Sequence, residues 1–156
     1  MFFTQYRFPG SEPVAVTCAA VWKAADGAEM VDRITERQVL NFLGRFETAQ
    51  NSEDFDRVAP LLHPDALFRF NDGDYRGLKA ARGAFESTWE HDVEDEKYYL
   101  SDIEVLHTDS GSATAAFRFN WSGITANGPF EVVGRGTSVI VRHEGELKLL
   151  LEHLSR

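Results

Sequence analysis

Cysteine is almost missing: Cys18 stands alone, so no intrachain disulfide can form. Stability has to come from a packed core, and a single thiol fits a reducing compartment, so a cytoplasmic location is expected. Long apolar runs are also missing, and nothing approaches the roughly 18–20 residues of a membrane span. Val14–Trp22 has about the length of a signal-peptide core, but the segment before it carries one arginine and is broken by Pro9, Gly10 and Pro13. That layout does not favour secretion. Positive charge is scarce, with 16 Lys and Arg against 25 Asp and Glu and a formal net charge of −9. Without a basic stripe, neither nucleic acid nor an anionic membrane surface is an expected partner. The five histidines, His63, His91, His107, His143 and His153, share no metal-ligand spacing. No metal or other cofactor is therefore expected.

What remains is an ordinary globular composition, 43% hydrophobic over 156 residues. One domain is the simplest reading, with about 68–70% of the unfolded surface available for burial. Residues 1–30 carry no clear period, and the strong pattern starts just after Met30. The expected division is a poorly defined extension over 1–30 and a domain over 31–156.

Thr35 and Gln38 form a capping box that opens a helix over about 35–50, with Val39, Phe42, Leu43 and Phe46 on one stripe. A second, short helix is expected from a Ser52 cap, with Phe55, Val58, Ala59 and Leu62 inward and Pro60 distorting its end. His63-Pro64-Asp65 closes it. ALFRF (66–70) reads as a strand, and Asn71-Asp72-Gly73-Asp74 as a turn. A third helix runs from Gly77 to about Asp92, with Leu78, Ala81, Phe85 and Trp89 on one side and Gly83 inside it. Glu90–Glu96 is an acidic connector. Four strands follow, Tyr98–His107, Ser112–Thr125, Phe130–His143 and Leu147–Leu154, separated by Ser110-Gly111, Asn127-Gly128 and Glu144-Gly145. Gly134-Arg135-Gly136 predicts a kink within the third of them. Helices first and sheet later means α+β.

This order, helix–helix–strand–helix–four strands, resembles the nuclear transport factor 2-like superfamily, and within it SnoaL-like and ketosteroid-isomerase-like proteins. EDFDRVAPLLHPDALFRF (53–70), Phe85-Glu86-Ser87-Thr88-Trp89 and GRGTSVIVRHEGELKLLLEHLS (134–155) carry the resemblance, which spans residues 34–156. It implies three helices packed on a strongly curved, mainly antiparallel sheet, a cone with an internal pocket. It also implies a homodimer through the outer sheet face and a small hydrophobic molecule as ligand. The aspartate base and tyrosine donor of ketosteroid isomerases fall on or near Phe70 and Phe46. A phenyl ring can neither take a proton nor donate a hydrogen bond, so that chemistry is not expected here.

The chain is also similar to the association domains of calcium/calmodulin-dependent kinases. Their pocket tryptophan and arginine match Trp89 and Arg118, while two further arginines fall on Ser138 and Leu154. The resemblance implies that Arg118, Asn120, Ser138, Ile140, Leu150 and Glu152 line the cone and that Phe117, Phe119 and Trp121 meet a partner. Bare hydrophobicity favours the reverse, and a one-residue bulge would exchange the two faces. Following the resemblance, Trp89, Arg118, Asn120 and Glu152 are the expected binding residues. Arg118 and Glu152 then need each other or a ligand, since an unpaired buried charge is costly. Glu152 and His153 are the candidate acid–base residues should there be catalysis. Isomerase, dehydratase or cyclase activity, or an assembly role with a vestigial pocket, are the alternatives to plain binding.

Overall fold

The computed structural model describes residues 32–156, so the expected boundary near Met30 and the leader before it lie outside the described residues. Helix α1, Glu36–Gln50, starts where the capping box predicts. Thr35 accepts a bond from the Gln38 amide, and the Gln38 side chain accepts one from the Thr35 amide. Its stripe buries Val39, Phe42, Leu43, Phe46 and Ala49. Ser52 does not cap the next helix, because its hydroxyl donates back to the Ala49 carbonyl at 2.6 Å. Asp54 takes that role, and helix α2 is a single turn, Phe55–Val58. Pro60 then tightens the chain into a 3-10 turn, Ala59–Leu61.

Strand β1, Leu62–Phe70, begins four residues earlier than ALFRF suggests. The segment read as a turn also forms strand β2, Gly73–Arg76, folded back antiparallel on β1. Helix α3, Gly77–Trp89, stops three residues short of Asp92. The four remaining strands are β3, Glu94–Thr108; β4, Ser112–Thr125; β5, Gly128–His143; and β6, Glu146–Ser155. They join β1 and β2 in one sheet ordered β2-β1-β6-β5-β4-β3. β1 and β6 run parallel and every other pair antiparallel. This is the expected α+β architecture of three helices on a curled, mostly antiparallel sheet.

The register settles which face looks inward. Ala115 lies opposite Ser138, Ser138 opposite Glu152, and Glu152 opposite Phe68, so these four form one row across β4, β5, β6 and β1. All four are buried. Odd residues of β4 thus share a face with even residues of β5, which puts Phe117 and Phe119 inward and Arg118 outward. The expected grouping of Arg118 with Ser138 and Glu152 is overturned by this pairing. In β6 the register slips between Val139 and Ile140, so Leu149 faces Ile140 while Leu151 faces Val139. The slip skips Leu150, and Leu149 and Glu152 both turn inward despite opposite parity. Hydrophobicity was the better guide in β4 and the resemblance in the second half of β5, while in β6 Leu149 follows the first and Glu152 the second.

Gly134 and Gly136 lie opposite Phe119 and Phe117. A Cβ at either would run into the facing phenyl ring. These glycines are therefore seats for two aromatic side chains, and the close approach explains the G-x-G better than a kink does.

β3 is an edge strand, and the end of α1 covers part of it. Asn51 accepts from the Tyr98 amide at 2.9 Å and donates to its carbonyl at 2.7 Å. Glu47 accepts from the Leu100 amide at 2.8 Å. Side chains of the first helix thus satisfy backbone groups that a free edge would expose, and they fix where α1 ends relative to Tyr98.

Candidate functional site

A cavity of about 700 Å³ opens between α3, the end of α1 and the inner face of the sheet. Aromatic rings and polar side chains share its walls. Phe85 and Trp89 come from α3, one helical turn apart, with ring centres 5.4 Å from each other. Across from them, Tyr98 of β3 stacks on Phe119 of β4 at 6.4 Å and 18°. Phe70 and Tyr75 close the β1–β2 side at 5.9 Å. Trp121 stands near the mouth, held by an indole N–H bond to the Glu96 carboxylate. Lys79, His91 and Arg156 also reach the rim.

The inner end is polar and unsatisfied. Among the described residues, the buried side-chain atoms that complete no hydrogen bond are Gln50 Nε2, Tyr98 Oη, Ser138 Oγ and both carboxylate oxygens of Glu152. Gln50 and Tyr98 line the cavity itself. Glu152 is 1% exposed and sits under the wall, with Ser138 opposite it in the register. Burial pushes its carboxyl up to about 8; the Ser138 hydroxyl pulls the other way without completing a bond. At neutral pH the side chain is therefore mostly protonated. Burial also holds the Tyr98 phenol well above its usual range, helped by the nearby Glu152 and Glu47 carboxylates and opposed by the Gln50 amide. A tyrosine in this state is a hydrogen-bond donor and not a base.

The expected site residues separate. Trp89 lines the cavity. Arg118 does not: its side chain is 56% exposed on the outer face, paired with Asp102 at 3.4 Å. Arg118 and Glu152 lie on opposite faces of the sheet and do not meet. Asn120 shares the outer face, 8% exposed, and donates to the Tyr99 carbonyl and the Ser101 hydroxyl. His153 is exposed and lies across from Thr137 on that same face, so it cannot work with Glu152 inside. Phe46 is fully buried in the core, and Phe70 lines the cavity. Gln50 and Tyr98 were not anticipated. Gln50 carried a readable signal, since it falls four residues after Phe46 on the inward stripe of α1. No group of three or more His, Cys, Asp or Glu among the described residues is arranged to hold a metal ion.

Fold and cavity together define a cone-shaped α+β domain with an internal pocket. Residues 43–149 match the SnoaL-like domain model, over half of the sequence, and the chain belongs to that family. It has no match among curated proteins. Similar solved structures include a candidate calcium/calmodulin-dependent protein kinase II association domain from Xanthomonas campestris, 20% identical, TM-score 0.68, covering 83% of this chain and 91% of that one. A nuclear transport factor 2-like superfamily protein from Salmonella enterica is 16% identical at TM-score 0.68, covering 76% and 88%. An uncharacterised cystatin-like-fold protein from Caulobacter vibrioides is 23% identical at TM-score 0.63, covering 75% and 85%. At these identities the likeness is one of fold.

Proposed function

We propose that this protein binds a small, flat, largely apolar molecule in the cavity between α3 and strands β3 and β4. The observation that supports it is a space of about 700 Å³ in which the rings of Phe70, Tyr75, Phe85, Trp89, Tyr98, Phe119 and Trp121 share the lining with polar side chains. Aromatic walls with polar groups set among them are a usual build of a small-molecule site. A domain that served only for assembly would gain by filling such a space, because each unfilled core volume costs stability. Native mass spectrometry of the purified protein tests the reading, with tryptophan fluorescence as the titration signal, since Trp89 and Trp121 both line the cavity. A co-purified mass or saturable quenching by aromatic compounds is expected. An empty protein that no aromatic compound quenches would sink it.

A second reading rests on Glu152, whose carboxyl holds its proton into the neutral range. Such groups gather at catalytic centres, and an isomerase, dehydratase or cyclase would use it as its acid–base group only if the wall in front of it opened, since Glu152 does not line the cavity. Glu152→Gln separates the readings: an enzyme loses turnover and keeps binding, whereas a binding protein shows no turnover to lose. The outer sheet face is proposed to join two copies of the chain.

A further inference from the structure

Two carboxylates in the cavity wall are taken up by aromatic donors. Glu96 accepts from the Trp121 indole N–H, and Asp72 accepts from the Tyr75 hydroxyl at 3.0 Å. All four residues line the cavity. Lys79 and Arg156 line it too, yet among the described residues neither carboxylate is paired with a cation. The two contacts belong to the two edges of the sheet, one to β1–β2 and the other to β3–β4. Asp72 lies in the turn between β1 and β2, and the Tyr75 ring leans on Phe70 with centres 5.9 Å apart. Glu96 lies where the pairing passes from Glu94–Ile124 to Lys97–Ser122, with one residue more on β3 than on β4. Such a bulge re-aims a side chain, and Asp95 takes a φ of 52° inside it. Trp121 is also propped edge-on by Phe130, with ring centres 4.9 Å apart. Phe130 stands opposite Gly123, where a Cβ would crowd both Phe130 and Val93. Each of the two rings is thus fixed twice, by a neighbouring ring and by a carboxylate.

We propose that Asp72 and Glu96 are positioning residues for ligand recognition, holding the Tyr75 and Trp121 rings as two preset walls of the cavity. An aromatic side chain that is free to rotate has to be immobilised when a ligand packs on it, and that loss of freedom weakens binding roughly two- to tenfold per side chain. A hydrogen bond made before binding removes the loss. Neither carboxylate has to touch the ligand for this. What each supplies is an acceptor oxygen and not a charge, so the matching amide serves in its place: Glu96→Gln and Asp72→Asn keep an acceptor, and alanine does not. This assignment rests on the cavity being a binding site.

The test measures 2-naphthol binding to the full chain by equilibrium dialysis at neutral pH, together with the nuclear magnetic resonance signal of the Trp121 indole N–H, assigned by its loss in Trp121→Phe. In wild type that proton should exchange slowly with solvent. Glu96→Ala should speed the exchange and weaken 2-naphthol roughly two- to tenfold, and Glu96→Gln should restore both. Tyr75→Phe keeps the ring and loses only the bond to Asp72. It should weaken 2-naphthol as much as Asp72→Ala does, the double variant should lose no more than either, and Asp72→Asn should stay near wild type. The backbone amide spectrum reports whether each variant is folded; should Glu96→Ala unfold, the Tyr75–Asp72 cycle decides. Carboxylates with a merely structural role would lower the melting temperature and leave the affinity alone. Alanine variants that hold 2-naphthol as tightly as wild type, or amide variants that fail as alanine does, overturn the positioning role while the cavity stays a binding site. A wild type that binds no 2-naphthol overturns the binding reading itself, and the positioning role with it.

Discussion

At the scale of single residues, Glu152 offers the sharpest measurement. Its carboxyl goes from an ordinary 4.5 to about 8 on folding, through loss of solvation. Between those values the folded protein holds a proton that the unfolded chain has released. Stability therefore falls as pH rises through that window, because the folded state binds more protons there. Below the window the carboxyl is neutral in both states and carries no penalty; above about 8 it is charged in both and the full penalty applies. At 1.36 kcal/mol per unit, the interval amounts to roughly 5 kcal/mol as an upper figure. Thermal unfolding of wild type should show a melting temperature that drops from pH 6 to pH 9. Glu152→Gln keeps the shape, removes the titration, and should flatten that slope and exceed wild type at pH 9. Parallel curves for the two proteins would mean that Glu152 is ionised inside the fold or is not enclosed.

The residue scale also shows where sequence reading stopped. Trp89 was legible because a helical stripe and the family match agree on it. Arg118 was not, because its face depends on which residue of β5 stands opposite, and pairing in a sheet cannot be read from alternation within one strand. Tyr98 was hidden for a different reason. It sits where an acidic connector becomes an edge strand, and its inward direction follows from side-chain bonds to α1 that join residues 47 apart in sequence.

Among elements, strand β5 and helix α3 each carry a glycine with a definite consequence. Gly136 lies beneath the Phe117 ring, where a methyl group has no room. Gly136→Ala should destabilise by about 1–3 kcal/mol, as overpacked sites do. Adding Phe117→Leu should recover part of the loss, and a double-mutant cycle from chemical denaturation would show the coupling. Gly83 is the opposite case. It lies inside α3 on the cavity wall, and a Cβ added there meets nothing within 4 Å. Helix propensity alone predicts that Gly83→Ala stabilises by up to about 1 kcal/mol, raising the melting temperature by a few degrees. A glycine kept where alanine would stabilise is understandable if the missing methyl leaves room for a ligand, so the same substitution should weaken binding of bulky aromatic probes. The helices and the last four strands were legible from periodicity and turn residues. β2 was not, because four residues beginning in a turn signal have no period of their own and become a strand only by pairing with β1.

At the scale of the whole molecule, the outer face of the sheet asks for cover. Tyr99 and Val133 lie on it, both 47% exposed, flanking Asn120 in one cross-strand row. Val139 and Leu151 form another row on the same face. Next to the first row, Arg118 stands opposite Arg135 and pairs with Asp102. An apolar strip bordered by both signs of charge suits a twofold interface, in which each copy offers the other the same patch. The dimer proposed for this face predicts twice the chain mass by light scattering at tens of micromolar. Val133→Glu places a charge at the β5 end of that row on a residue that packs against nothing inside, so it should shift the population to monomer with the fold intact by circular dichroism. Because the cavity opens on the other side of the sheet, the monomeric variant should keep the wild-type affinity for whichever aromatic probe quenches its tryptophans. A monomer in wild type would remove the interface. A monomeric variant that loses the probe would mean that the partner copy shapes the cavity, and that the two faces of the sheet act on each other through the strands they share.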